Sequence, residues 1–284
     1  LETSDIYTQP PIGIKKSGAG MGWNVKGTTM NIRYLNIGGG NFCHRENEWV
    51  NLDYPFEAYK SKRSPWRMDI FHNLMLDISL PIESDSVESV YTSHTIEHLT
   101  EEAVIRMFKE VKRILVPRGA FRIAVPNSEL FFQFMKNPEI DDEKIATLWF
   151  GHNIGYSKER TFLDEVCSHL MGKLSDAEVR EIINKHETRE SCFNELYEIA
   201  DKRFGIKFTS ELQSKTPAYH ISWWDHKKLK EHLKIAGFKK ISEPLKRNES
   251  EYEAFHAKYI DRTVPHLSLR VEAIKTQKPQ RSLS

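Results

Sequence analysis

A three-layer α/β domain built on a mostly parallel sheet is predicted by three observations. Apolar, β-prone runs alternate with helical patterns from Ile32 to about Val125, the rhythm of strands joined by crossover helices. Three glycines, Gly38, Gly39 and Gly40, follow the first of these strands directly, and a carboxylate, Asp53, closes the second. The same rhythm returns near the end of the chain. With 284 residues there is enough chain for one large domain, or for a core domain with a cap. Apolar residues at 39% and charged residues at 29% exclude a wholly disordered chain.

Residues 1–30 are rich in Gly, Pro, Ser and Thr without a sustained period of 2 or 3.6, and read as an arm or linker. Gly18, Gly20 and Gly22 lie near Lys15 and Lys16, but no strand precedes them and no GKS/T follows, so they do not read as a phosphate loop. Residues 31–127 form the first part of the core, with strands expected at Ile32–Ile37, Trp49–Leu52, Ser89–Thr92 and Ala120–Val125. Between the last two lies the clearest helix. Thr100 caps it, Glu101 and Glu102 suit its positive end, and Val104, Ile105, Phe108, Val111, Ile114 and Leu115 make one apolar stripe. Pro117 and Gly119 are expected to stop it.

Residues 128–218 read as a helical insertion or cap, interrupted, acidic, and carrying Phe131, Phe132, Phe134, Trp149 and Phe150. Residues 219–275 return to the core: Asp225 caps a helix bearing Leu229, Leu233 and Ala236, Gly237 ends it, and Phe238–Ile241 and Leu267–Ile274 are expected strands. Residues 276–284 are an expected flexible tail.

Lys plus Arg number 41 against 40 Asp plus Glu, a net charge of +1, so no overall field draws in nucleic acid or anionic lipid. The lysines Lys227, Lys228, Lys230 and Lys234 lack interleaved stacking aromatics and read as a solvated helix face, so nucleic acid is not an expected partner. No apolar run approaches the roughly 18 residues of a membrane span, and no membrane role is expected. Cys43, Cys167 and Cys192 are scattered and make no CxxC pair, which points to neither a disulfide framework nor a thiolate zinc site and suits the cytoplasm. No HExxH or paired His/carboxylate spacing appears, so no metal site is expected. The oligomeric state is not legible in the sequence.

The glycines after the first strand let the backbone turn sharply and approach a ligand closely. Fifteen residues after Gly38, Asp53 ends Trp49-Val50-Asn51-Leu52-Asp53, where a carboxylate can accept from both hydroxyls of a ribose. Together they indicate an adenosine-type cofactor. Further on come Asp77-Ile78, then Leu80-Pro81-Ile82-Glu83, then Ser93-His94-Thr95-Ile96-Glu97-His98, and after the long helix Arg113-Ile114-Leu115-Val116-Pro117-Arg118-Gly119. This series resembles the class I S-adenosylmethionine-dependent methyltransferases, over about residues 32–126 and more weakly over 219–275.

The resemblance implies a Rossmann-like three-layer sandwich with a mostly parallel seven-stranded sheet, interrupted here by the insertion at 128–218. It implies S-adenosylmethionine as cofactor and S-adenosylhomocysteine as product. Gly38, Gly39 and Gly40 would pack against the methionine and ribose, Asp53 would bind the ribose, and Asp77 with the Ile78 backbone would hold the adenine. Ser93 and His94 would line the methionine side, with Asn36 also at the cofactor. Asn36 stands where the family usually has Asp or Glu, Phe42 replaces the third glycine, and Pro117-Arg118-Gly119 replaces Pro-Gly-Gly.

Methyl transfer needs chiefly an acceptor held in line with the sulfonium methyl. A hydroxyl acceptor also calls for a base. Candidates are His94, Glu97, His98, His152, Tyr156 and His220, of which His94, His152 and His220 are the main catalytic expectations. The aromatic and acidic cap suggests a small-molecule acceptor, a sugar or nucleotide-sugar hydroxyl. The alternative is a non-catalytic protein that keeps the fold as a partner-binding scaffold.

Overall fold

A computed structural model describes residues 14–16, 23–25, 28–30, 32–40, 48–54, 68–76, 79–136, 176–204, 220–256, 260–262 and 267–277. Its centre is a seven-stranded sheet in the order β6-β5-β4-β7-β8-β10-β9. The strands are β4 (Tyr34–Ile37), β5 (Trp49–Asp53), β6 (Ile70–Phe71), β7 (Val87–Ser93), β8 (Leu115–Pro126), β9 (Lys240–Ile241) and β10 (Ser268–Ile274). Neighbours from β6 to β8 pair in parallel, while β10 runs against both β8 and β9. This is the Rossmann-like, mostly parallel sheet that the sequence predicts. From β4 the chain steps outward to β5 and β6, then crosses back to β7 on the other side of β4. The reversal leaves a crevice at the carboxyl ends of β4 and β7, the place where α/β sheets hold their ligands.

Alternation along the strands assigns each side chain to one of two unlike faces. Leu35, Ile37, Val50, Leu52, Val90, Phe121, Ile123, Val125 and Val271 belong to the main apolar core. That face is covered by α1 (Glu101–Ile114), through Val104, Phe108 and Val111, and by α5 (His226–Ile235), through Leu229 and Leu233. The intervening positions Asn36, Asn51, Tyr91, Arg122, Arg270 and Glu272 point the other way, yet they are buried too. They survive there because they satisfy one another. Asn36 Nδ2 donates to Asn51 Oδ1 at 3.0 Å, and Arg122 bridges Asp261 and Glu272 at 2.5 Å each.

The helix ends follow local chemistry. The Thr100 hydroxyl accepts from the Ala103 N–H, the Asp225 carboxylate accepts from Lys228 N–H at 2.8 Å, and Gly237 leaves α5 at φ +93°. One expectation is corrected. Pro117 and Gly119 do not stop α1, which already ends at Ile114 when Leu115 turns extended, and both residues lie inside β8. Arg118 rather than Gly119 adopts the left-handed conformation, at φ +71°. Gly119 is required for space, since a Cβ there would stand 2.9 Å from the carbonyl oxygens of Glu88 and Val116.

Beyond the sheet, α2 (Ser128–Lys136), α3 (Asp176–Lys185) and α4 (Arg189–Phe204) pack on one another. Arg189 at the start of α4 pairs with Glu129 of α2 and with Asp225, the cap of α5. Stacking of Phe193 on Trp223 adds an apolar contact to that tie, with ring centroids 5.8 Å apart. Of the expected solvated lysines, Lys228 is instead tucked over the Trp223 ring, 4.0 Å from its centroid, and pairs with Glu101. Burial pushes the Cys192 thiol up to about 11, so it stays protonated. Within the stretch read as an arm, three short strands, β1 (Ile14–Lys16), β2 (Trp23–Val25) and β3 (Thr28–Met30), form an antiparallel meander. Strands of three residues are too short to show a period.

Candidate active site

β4 delivers the chain into the glycine turn at the crevice. Gly38 and Gly40 both lie in the left-handed region, at φ +68° and +48°, with Gly39 between them. The Gly38 N–H donates to Leu52 O at 2.8 Å, which ties the turn to β5. A Cβ on Gly38 would stand 2.3 Å from the Thr95 side chain, whereas among the described residues one on Gly40 would meet nothing within 4 Å. The turn is therefore pressed at its first glycine against Thr95, just beyond β7, and among the described residues it is open at its third. Gly38→Ala is expected to cost about 2–4 kcal/mol, combining left-handed strain with the clash on Thr95. Urea denaturation measures it, and an unchanged midpoint would contradict the crowding.

Asp53 is the clamp of this turn. Its Oδ2 accepts from the Gly40 N–H at 2.8 Å and its Oδ1 from the Tyr54 N–H at 2.7 Å. Burial raises the carboxyl above its ordinary value, and these two N–H donors partly offset that rise. Each oxygen keeps a further lone pair. A held carboxylate beside a glycine that meets no described side chain fits a ribose and its neighbouring groups.

Thr95 joins the turn to β7, with its hydroxyl 3.2 Å from both the Gly38 and Ser93 carbonyls. Ser93 and His94 stand at the carboxyl end of β7, as expected. His94 takes φ +49°, with Nε2 2.8 Å from Ser268 Oγ and Nδ1 3.4 Å from Glu97 Oε1. Asn36 sits one layer beneath, 2% exposed, where it braces β4 against β5. Asp77, Ile78, His152 and Tyr156 lie outside the described residues.

A second group gathers just beyond β7, in the 3-10 turn Ile96–His98. The Glu97 carbonyl accepts from the Ile221 and Ser222 N–H groups at 2.7 and 3.1 Å. Ser222 Oγ in turn donates to Ile96 O at 3.1 Å and holds the indole N–H of Trp224 at 2.9 Å. This docking sets His220 edge-on against His98, with ring centroids 4.8 Å apart. The Glu97 side chain is 2% exposed, and burial pushes its carboxyl up to about 8. Sequence spacing alone had grouped no such set: His98 and His220 stand 122 positions apart (220 − 98). A cavity of about 240 Å³, lined by Arg33, Tyr34, Glu88, Arg118 and Tyr252 among others, opens at the opposite, amino-terminal edge of the sheet and is not this crevice.

The strand order, the glycine turn and the carboxylate at the end of β5 are the features of a Rossmann-like sheet with its ligand crevice at the carboxyl ends of the strands. Residues 35–123, from β4 into β8, match the family described as "Methyltransferase domain". That match spans about a third of the chain and is to a methyltransferase domain.

Among solved structures, the chain is similar to an S-adenosylmethionine-dependent methyltransferase from Mesorhizobium loti, at 15% identity and a TM-score of 0.37, covering 86% of this chain and 91% of that one. It is similar to one from Archaeoglobus fulgidus at 13% identity and a TM-score of 0.39, covering 86% of each. The CurJ carbon methyltransferase is also similar, at 14% identity and a TM-score of 0.37; that match covers 87% of this chain, which spans 49% of CurJ's length. None of these likenesses bears on the acceptor. No curated protein matches the chain.

Proposed function

We propose that the protein methylates a small-molecule acceptor, with a sugar or nucleotide-sugar hydroxyl as the first candidate. The observation that carries the methyl-transfer part of the reading is the Gly38–Gly40 turn clamped by Asp53 and, among the described residues, open at Gly40. In this reading Gly38, Gly39 and Gly40 pack against the cofactor, Asp53 accepts from its ribose hydroxyls, and Asp77 with Ile78 holds its adenine. Bound S-adenosylmethionine supplies an already activated methyl group, so the protein's own task is to place the acceptor and receive its proton. Ser93 and His94 line the donor side. Glu97, His98 and His220, beside the same crevice, make up the acceptor side, with His152 contributed by the insertion. The scattered cysteines support a reducing, cytoplasmic setting. Among the described residues no helix is long and apolar enough to cross a membrane.

Incubation with S-adenosylmethionine labelled on the methyl group tests this, using a panel of sugars and nucleotide sugars alongside RNA and a protein extract. Label is expected in the small-molecule fraction. Label confined to RNA or protein would overturn the acceptor class.

A further inference from the structure

We propose that Glu97, His98 and His220 form a binding site for one divalent transition-metal ion of the zinc type. The three side chains reach one point from two directions. Glu97 and His98 leave the end of β7, and His220 arrives on the stretch whose backbone docks on the Glu97 carbonyl. One ligand atom from each, a ring nitrogen of either histidine and a carboxylate oxygen, lies within 4.8 Å of the others. Donors about 2.0–2.2 Å from a tetrahedral zinc stand about 3.4 Å apart. The set therefore has to close by roughly 1.4 Å, which rotation of two half-buried imidazoles can supply.

Glu97 provides the second, independent observation. Its carboxyl is buried, and among the described residues neither oxygen makes a hydrogen bond. His94 Nδ1, 3.4 Å from Oε1, is the ionisable group facing it from β7. A buried acid without donors is costly, and a cation supplies the missing partner. Two imidazoles with one carboxylate suit zinc, whereas magnesium and calcium take oxygen donors. Three protein ligands leave a coordination position open toward the crevice for water or an acceptor hydroxyl. That last consequence rests on the proposed function, while binding of the ion does not.

Equilibrium dialysis of the chelator-treated full chain against Zn²⁺, with Mg²⁺ as comparison, is expected to leave one zinc per chain and no magnesium. Glu97→Gln and His220→Asn should each weaken zinc binding at least tenfold, with the melting of the metal-free chain checking that both variants fold. Anomalous diffraction at the zinc edge needs no variant: a peak between the three side chains is expected. No retained zinc, a peak elsewhere, or undiminished affinity in both variants overturns the site. Calorimetric titration with S-adenosylmethionine, which is expected to bind the metal-free chain as well, reads the cofactor site separately.

Discussion

Arg122→Met is expected to destabilise the protein by about 3–5 kcal/mol at neutral pH, the cost of breaking a buried ion pair by removing one partner. Arg122 is fully buried in a central strand, where its guanidinium bridges Asp261 and Glu272 at 2.5 Å each. It also donates to the Glu249 carbonyl at 3.1 Å and the Lys246 carbonyl at 3.3 Å. Asp261 is held further by the Tyr91 hydroxyl, which accepts its N–H at 2.8 Å, and by Arg270 at 3.3 Å. Methionine fills much of the space but takes the guanidinium from two buried carboxylates, leaving Asp261 the weaker Arg270 contact, and from two carbonyls. Urea denaturation at pH 7 measures the loss. A change below about 1 kcal/mol at pH 7 would mean that water reaches the carboxylates and that this face of the sheet is not sealed.

Asp53→Ala should weaken S-adenosylmethionine binding by roughly 2–3 kcal/mol, about thirty- to 150-fold, through loss of charge-assisted hydrogen bonds to the ribose. The prediction follows from the ribose assignment proposed above. Part of the effect is indirect, because the same carboxylate accepts from the Gly40 N–H and shapes the turn. Asp53→Asn separates the two contributions. The amide keeps one acceptor oxygen but loses the charge, so its affinity should fall between those of the wild type and the alanine variant. S-adenosylhomocysteine, which carries the same ribose, should weaken in parallel, and NAD should bind none of the three forms. Calorimetric titration gives the dissociation constants, and an alanine variant that binds like wild type would place the ribose elsewhere.

Features that are local in the chain were legible in the sequence. Thr100, Asp225 and Gly237 act at helix ends through atoms within a few residues, so composition and spacing suffice to find them. The glycine turn was visible because positive φ and close approach restrict a position to glycine, whatever the rest of the fold. The insertion shows the limit of such reading, since Phe193, which no local signal singles out, packs on Trp223 thirty positions away. The two-residue edge strand β6, which the sequence did not mark, pairs on the edge of β5, and the expected Phe238–Ile241 strand shortens to the two residues of β9 that pair with β10. Nor did any periodicity mark the meander of β1 to β3.

The sequence by itself determined the α/β class, the strand-turn placement of Gly38 and Gly40 and the position of Asp53 at a strand end, because each follows from the preferences of contiguous residues. Tertiary structure alone decided that Arg122 would be neutralised by Asp261 and Glu272, and that His220 would meet His98 and Glu97. These partners are separated by more than a hundred residues, 122 positions in the case of His98 and His220. Their meeting depends on which strands become neighbours and which loops share a sheet edge. Those choices are made by burying a whole core at once, and no short window of sequence contains them.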